Sequence, residues 1–233
     1  MIISVETATN QCSVALFDRR GLISLKESND IKSHASMLTV FIGEILEQAG
    51  VRALDLEAVA VSKGPGSYTG LRIGVSVAKG IAFAASIPLI GIETTFSMFT
   101  GMSERMKKED DPIQDIIYCP MLDARRMEVY YALYDSGGKA IKDISAEIID
   151  EDSFTSLPES RRIIFFGDGA LKCKNIIKRN NIEFADDFKM SASYMRIPAL
   201  EALEAKHFED IAYFEPFYLK DFIATTRKKN ILW

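Results

Sequence analysis

The sequence has few of the side chains from which reactive centres and metal sites are usually built. Its 233 residues include three cysteines and two histidines. Cys12, Cys119 and Cys173 lie far apart with no C-x-x-C pair, which argues against a disulfide framework and against a thiolate metal site. His34 and His207 fall in opposite halves of the chain, so no His-x-x-x-His pair exists for a metal hydrolase. We therefore predict no metal site.

Long apolar runs and an excess of basic charge are missing as well. No apolar stretch reaches the ~18 residues that a membrane-spanning helix needs, and Met1 to Glu6 lack the layout of a signal peptide. The 28 lysines and arginines stand against 33 aspartates and glutamates, a net charge of -5. The chain as a whole therefore has no electrostatic signature of nucleic-acid binding. We expect a cytoplasmic protein without membrane contact, and we expect any contact with RNA to be indirect.

The pattern that is present indicates an α/β fold with an internal repeat. Three β-prone runs at 2–6, 12–17 and 22–26 precede a helix at 33–49, a buried strand at 58–62, a helix at 71–85 and a short strand at 88–92. A shorter set follows the charged stretch that ends at Pro112, with strands at 116–122, 129–134, 142–149 and 162–166 and helices at 170–179 and about 195–208. We predict two lobes, residues 1–110 and residues 111–233, the second shortened and ending in a basic tail. A ligand cleft is expected between them.

The most distinctive motif is a glycine-rich turn between a buried strand and a helix, Lys63-Gly64-Pro65-Gly66-Ser67-Tyr68-Thr69-Gly70-Leu71-Arg72-Ile73-Gly74. Its glycines allow backbone angles that are closed to other residues, and Ser67 or Thr69 can cap the helix. The turn has neither the Gly-Lys-Ser/Thr of a Walker A loop nor the Gly-x-Gly-x-x-Gly of a dinucleotide fingerprint. It can hold a phosphate on backbone N–H groups or another stretch of backbone. Its candidate functional residues are Gly64, Gly66, Ser67, Thr69, Gly70 and Arg72.

The helices at 33–49 and 71–85 carry more apolar surface than one face requires. In the second helix the polar strip is narrow and consists of Arg72, Ser76 and Lys79. Such a helix is either enclosed within its own lobe or covered by a partner. We predict a partner surface formed by Met37, Leu38, Phe41, Ile45, Leu71, Gly74, Ala78 and Ala82. The same surface would close a homodimer when the chain is alone.

Several motifs together resemble one family. They are Val5-Glu6-Thr7-Ala8-Thr9, Ser33-His34-Ala35-Ser36-Met37-Leu38, the glycine-rich turn, Leu122-Asp123-Ala124-Arg125 and Glu215-Pro216-Phe217-Tyr218-Leu219. With these motifs the chain resembles the TsaB (YeaZ) family, which works in bacterial synthesis of threonylcarbamoyladenosine at position 37 of tRNA. The resemblance implies the two-lobed actin and hexokinase-like (ASKHA) fold, built from duplicated βββαβα units.

The resemblance also implies a non-catalytic subunit. In this family the subunit pairs with a related protein, TsaD, which carries the metal and the transfer chemistry, and the ATPase TsaE joins the pair. A TsaD-like and a TsaE-like partner are therefore expected, with no tightly bound cofactor on this chain and with ATP used by the complex. Family members commonly have Asp where Glu6 stands, and the longer side chain weighs against a direct magnesium–nucleotide role for this hairpin.

An independent ATPase or small-molecule kinase is the alternative function. Phosphoryl transfer on this fold needs a carboxylate near Mg²⁺ and phosphate-binding turns in both halves. The residues that would lie near a nucleotide are Glu6, Thr7, Thr9 and Asp123, with Gly167-Asp168-Gly169 as a second turn. Each of them is also typical of ordinary hairpin or turn chemistry.

Overall fold

Two five-stranded sheets organise the chain, and the computed structural model describes residues 1–29, 33–108 and 116–220. The first sheet contains β1 (Ile2–Glu6), β2 (Cys12–Phe17), β3 (Leu22–Ser28), β4 (Ala58–Gly64) and β5 (Leu89–Glu93), in the order β3-β2-β1-β4-β5. The β1–β2 and β2–β3 pairs are antiparallel, whereas β1–β4 and β4–β5 are parallel. The parallel strands are buried on both faces, as their unbroken apolar runs predict.

The second sheet repeats this topology. It contains β6 (Ile116–Asp123), β7 (Glu128–Tyr134), β8 (Ala140–Ile148), β9 (Arg162–Phe166) and β10 (Ile182–Ala185), in the order β10-β9-β6-β7-β8. The β6–β7 and β7–β8 pairs are antiparallel, and the β6–β9 and β9–β10 pairs are parallel. Strand β6 thus takes the central place that β1 has in the first sheet. Residues 149–161, all of which the structure describes, form turns where the first lobe has a helix. The predicted two-lobed α/β fold with a shortened second repeat is therefore confirmed.

Five α-helices flank the sheets: α1 (Ser33–Ala49), α2 (Tyr68–Ala85), α3 (Thr94–Lys108), α4 (Asp168–Cys173) and α5 (Arg196–Glu204). Helices α1 and α2 cover the outer face of the first sheet, the face that carries Ile3, Val5 and Val59. Helix α4 is shorter than the predicted helix at 170–179. It ends at Cys173, and further along the chain the Arg179 guanidinium donates hydrogen bonds to the carbonyls of Phe154 and Leu157.

Each lobe is completed by residues from the other half of the sequence. Helix α3 packs on the second sheet, where the rings of Phe99 and Tyr118 meet edge to face with centroids 5.2 Å apart. The 3-10 turn Ala192–Met195 and α5 cover the inner face of the first sheet, the face that carries Ile2, Ala58 and Ala60. The predicted lobe boundary near residue 110 falls in 109–115, outside the described residues, and stays a prediction.

Residues 205–220, which we call the C-terminal strap, run back along the first lobe. The strap pairs with the edge of the first sheet, where Glu209 N–H donates to Leu89 O at 2.8 Å. Further on, Phe214 enters the core of this lobe, and its carbonyl accepts a hydrogen bond from Lys79 Nζ at 2.9 Å. The predicted helix at about 195–208 therefore ends sooner, at Glu204, and the predicted basic tail at 225–233 lies outside the described residues.

Candidate functional site

Three backbone N–H groups of the glycine-rich turn donate hydrogen bonds within the chain itself. Ser67 is the N-cap of α2, and its Oγ accepts a hydrogen bond from Gly70 N–H at 3.3 Å. The N–H of Ser67 donates to Ala8 O at 2.6 Å, and that of Leu71 donates to Ser67 O at 2.8 Å. The sequence allowed the turn to bind either a phosphate or another stretch of backbone. In the structure it binds the backbone of the loop between β1 and β2.

Two glycines make this close contact possible. Gly64 has a φ of 120°, and a Cβ at this position would collide with the carbonyl of Phe217 in the C-terminal strap. A Cβ at Gly70 would collide with the carbonyl of Thr7. Next to Gly64, Phe217 N–H donates to Lys63 O at 2.6 Å. The turn is therefore clamped between the β1–β2 loop on one side and the C-terminal strap on the other.

Glu6 is enclosed at the end of β1 and does not reach solvent. Its Oε1 accepts hydrogen bonds from Ala8 N–H at 2.6 Å and from Ser62 Oγ at 3.0 Å, whereas Oε2 has no hydrogen-bond partner among the described residues. Burial raises the pKa of Glu6 to about 7, against the lowering effect of these hydrogen bonds. Thr7 is buried as well. A buried, partly protonated carboxyl is a poor ligand for Mg²⁺, which prefers charged and hydrated oxygen sites.

The cleft between the lobes is small. It contains a cavity of about 150 Å³ whose lining includes Thr9, Gln11, Gly167 and Asp168. Ligand pockets typically measure roughly 300–1,000 Å³. The structure brings Thr9 and the Gly167-Asp168 turn, both candidates for a place near a nucleotide, to the lining of one cavity, which is smaller than a typical ligand pocket.

Asp123 is exposed beside the cleft, and its carboxylate is already occupied. Oδ1 accepts hydrogen bonds from Lys172 Nζ and, at 2.9 Å, from Arg125 N–H. The N–H of Asp123 donates to Asp168 Oδ1 at 3.0 Å. The carboxylate predicted for the second half of a magnesium–nucleotide site is thus engaged in an ion pair within its own lobe.

A larger cavity of about 410 Å³ lies between β5 and α5. Lys63, Glu201 and His207 are among the residues that line it, and Lys63 faces Glu209 with 3.7 Å between Nζ and Oε1. Within residues 1–29, 33–108 and 116–220, no group of three or more His, Cys, Asp or Glu side chains is arranged to hold a metal ion. None of the helices in these ranges has the length and apolar character needed to cross a bilayer.

The residues predicted to face a partner lie mainly in the interior of the first lobe. Their apolar surface packs on the outer face of the sheet, which buries Leu38, Phe41, Ile45, Leu71, Gly74, Ala78 and Ala82 and leaves Met37 half-buried. They are interior rather than surface positions, because the sheet needs both helices to cover it. The apolar side chains that the same helices leave on the surface are Val40, 44% exposed, and Phe83, 78% exposed.

A cluster that the sequence did not predict lies beside the glycine-rich turn. The Arg72 guanidinium sits 4.3 Å from the centroid of the Tyr68 ring, and its Nε donates to Tyr218 Oη at 3.3 Å. The rings of Tyr68 and Tyr218 lie 4.9 Å apart. Both tyrosines belong to motifs that the sequence made conspicuous, but 146 residues separate Arg72 from Tyr218, and no local pattern joins them.

The family model described as TsaD, tRNA N6-adenosine threonylcarbamoyltransferase, matches residues 25–228. The chain belongs to this family. The tRNA threonylcarbamoyladenosine biosynthesis protein TsaB of Escherichia coli K12 is 33% identical over 133 residues, which cover 57% of this chain and 54% of that protein. A tRNA N6-adenosine threonylcarbamoyltransferase of Halalkalibacterium halodurans is 36% identical over 108 residues, 40% of this chain and 32% of that protein.

The match to the TsaB of Haemophilus influenzae is similar, with 32% identity over 131 residues, 56% of this chain and 52% of that protein. The matched stretch thus spans about half the length of these relatives. Among solved structures, YeaZ from Pseudomonas aeruginosa superposes with a TM-score of 0.76 and 22% identity, covering 94% of this chain and 99% of that chain. That likeness shows a shared fold. The predicted resemblance to the TsaB (YeaZ) family is confirmed.

Proposed function

We propose that the chain is a non-catalytic subunit in the synthesis of threonylcarbamoyladenosine in tRNA, where it binds and activates a TsaD-type catalytic subunit. Its TsaB relatives support the pathway. The observation that carries the non-catalytic role is the clamped glycine-rich turn. Because the N–H of Ser67 donates to Ala8 O and Phe217 N–H donates to Lys63 O, this part of the cleft binds the chain's own backbone.

The two carboxyl groups that could hold Mg²⁺ in a phosphoryl-transfer site are also engaged within the chain. The Glu6 carboxyl is buried, with a pKa of about 7, and the Asp123 carboxylate pairs with Lys172. Phosphoryl transfer depends on carboxylates that hold Mg²⁺ against the phosphates. These contacts support a helper subunit over an independent ATPase or kinase.

We place the contact with the catalytic subunit on the outer surface of α1 and α2. Val40 and Phe83 would supply its apolar contacts, since a ring that is 78% exposed gains from being covered by a partner. Gly80 is also exposed, and the space where its Cβ would lie is open, so a partner helix can approach α2 closely there. In the absence of the catalytic subunit, the same surface would pair two copies of the chain. A TsaE-like ATPase would join the heterodimer.

Reconstitution tests the proposal. The purified chain, a TsaD-type subunit and a TsaE-type ATPase from the same cell are mixed with ATP, the threonylcarbamoyl donor and an unmodified tRNA transcript. Mass spectrometry of the digested tRNA should detect the modified nucleoside only in the complete mixture, and omission of the chain should abolish it. ATP hydrolysis or tRNA modification by the chain alone at a comparable rate would contradict the proposal and support the ATPase or kinase alternative.

A further inference from the structure

Basic and tyrosine side chains surround the end of the C-terminal strap, which contacts α2 of the first lobe and β7 of the second. We call this surface the basic–tyrosine strip, and it consists of Tyr68, Arg72, Tyr218, Lys220, Tyr130, Arg125 and Arg126. Three stretches of chain that are distant in sequence supply it: the start of α2, the end of the C-terminal strap and the first hairpin of the second lobe. Arg72 joins Tyr68 to Tyr218 in the first lobe, and the ion pair of Lys220 with Glu128 connects the strap to the second lobe.

Its first half is built on the first lobe. The Arg72 guanidinium covers the face of Tyr68 and donates to Tyr218 Oη, and the two rings are 4.9 Å apart. Arg72 is exposed, whereas both tyrosines are half-buried. The packing of these groups fixes a guanidinium plane and two aromatic rings at the surface, so little side-chain freedom is lost when a planar ligand stacks there.

Its second half crosses to the second lobe. Lys220 pairs with Glu128 at the start of β7, and Tyr130 lies two residues further on the same face of that strand. Burial raises the pKa of Tyr130. Tyr130 pairs with Leu122 across the β6–β7 hairpin, and Arg125 belongs to the turn of this hairpin.

Arg125 and Arg126 form the tip of the strip. Both residues are exposed, and both have positive φ, 70° and 52°. No carboxylate of the described residues lies within 4.0 Å of either guanidinium, whereas the nearby carboxylates are engaged: Asp123 pairs with Lys172, and Glu128 pairs with Lys220. Neither arginine therefore forms an ion pair among the described residues. The two side chains present positive charge locally, although the net charge of the protein is -5.

We propose that the basic–tyrosine strip binds a single-stranded segment of RNA, so that this subunit contacts the tRNA directly. Proteins hold single-stranded RNA by stacking its bases on aromatic rings and arginine planes and by pairing its phosphates with basic side chains. Arg125 and Arg126 would contact phosphates, while Tyr130 and the Arg72–Tyr68 pair would offer stacking faces. The inference rests on the proposed function, and it replaces the expectation of indirect contact, which the net charge suggested.

Fluorescence anisotropy of a labelled, unmodified tRNA transcript tests the strip with the full chain. The variant Arg125→Glu/Arg126→Glu should lose about tenfold or more in affinity and should lower the slope of log K against log[salt] by about 0.7 for each phosphate contact removed. Tyr130→Leu keeps the buried part of the side chain and should weaken binding about tenfold with an unchanged salt slope. A fully paired RNA duplex should compete poorly.

The matched control is Arg20→Glu, since Arg20 is an exposed arginine in the turn between β2 and β3 of the first lobe. This variant should bind the transcript like the wild type. Thermal unfolding shows whether each variant folds, and Arg125→Ala/Arg126→Ala replaces the charge reversal if the latter does not. Wild-type affinity in the folded strip variants, or an equal loss in Arg20→Glu, would overturn the proposal.

Titration with the TsaD-type subunit separates this inference from the proposed function. The strip variants should bind that subunit like the wild type, because Arg125, Arg126 and Tyr130 lie on the second lobe, whereas Val40 and Phe83 lie on α1 and α2 of the first. If they lose the protein partner and keep RNA affinity, the strip is a protein-docking surface and the inference is wrong. If the wild-type chain binds RNA through the strip but does not bind the TsaD-type subunit, the inference stands and the proposed function fails.

Discussion

The buried carboxyl of Glu6 accepts a hydrogen bond from the Ser62 hydroxyl at 3.0 Å, which joins the ends of β1 and β4. The second carboxyl oxygen has no partner within the described part of the chain. A carboxylate in this position would lack the solvation that its charge needs, whereas the neutral acid fits. The protonation of Glu6 is therefore linked to folding.

Replacement of Glu6 by glutamine should stabilise the protein at high pH and have little effect at low pH. Burial raises the pKa of Glu6 from 4.5 to about 7, so the folded protein holds this proton more tightly than the unfolded chain. The resulting stability is complete below the unfolded pKa of 4.5 and is lost as the pH rises through about 7. Urea unfolding at about pH 8 should show a gain of up to about 3 kcal/mol for the variant.

Glu57→Gln is the control, because folding lowers the pKa of Glu57 whereas it raises that of Glu6. The N-terminal ammonium and Arg19 hydrogen-bond to Glu57 and lower its pKa, so its stabilising effect is present above the unfolded pKa and is lost as the pH falls. Because the pair is partly exposed, the variant should lose at most about 1 kcal/mol near neutral pH. Equal stability of Glu6→Gln and wild type at about pH 8 would contradict the role assigned to Glu6.

Gly70→Ala should destabilise the protein, whereas Gly80→Ala in the same helix should not. A Cβ at Gly70 collides with the carbonyl of Thr7, and the β1–β2 loop must move to admit it. Such overpacking costs about 1–3 kcal/mol. Gly80 faces open space, so alanine there should add up to about 1 kcal/mol through helix propensity. Chemical denaturation of both variants measures the difference, and equal stability would mean that the turn is not clamped.

Phe214→Ala should separate the C-terminal strap from the first lobe. Phe214 is buried in the core of that lobe, and removal of such a ring costs about 3–5 kcal/mol. The neighbouring Tyr213 is 84% exposed, and Tyr213→Ala should change the free energy of unfolding by less than about 0.5 kcal/mol. Limited proteolysis should cut the strap faster in Phe214→Ala. Equal protection of the two variants would show that the strap is held by other contacts.

Phe83→Glu should abolish or strongly weaken binding of the TsaD-type subunit without loss of stability. The ring is already 78% exposed, so the folded monomer loses little, whereas a partner would have to bury the new charge. Ile148→Glu is the matched control, because Ile148 is 71% exposed on the second lobe. Isothermal titration calorimetry should find wild-type affinity for the control. Unchanged affinity of Phe83→Glu would exclude this part of α2 from the interface.

Local sequence patterns predicted most of the fold. Alternation and apolar runs located nine of the ten strands, and the glycine-rich turn was correctly placed between β4 and α2. The short edge strand β10 was not predicted. The predicted helix at 170–179 ends early, at Cys173, and Arg179 instead donates hydrogen bonds to carbonyls that lie 22 and 25 residues away, contacts that a helical pattern does not predict.

The candidate site was predicted less completely, because periodicity shows that a face is covered but not what covers it. Ala78 and Ala82 are buried as their spacing indicates, yet the covering element is the chain's own sheet. The glycines of the turn indicate a close approach, but its partners, the carbonyls of Thr7 and Phe217, come from opposite ends of the sequence. Such contacts depend on the assembled topology.

The cover that residues 192–204 provide for the first sheet has a consequence for synthesis on the ribosome. Met195 and Ala199 are fully buried against that sheet, so a nascent chain that has not yet reached them leaves the apolar inner surface around Ile2 and Ala60 open to water. We therefore expect the first lobe to reach its full stability only after residues 192–204 have been synthesised, although its own strands emerge from the ribosome first.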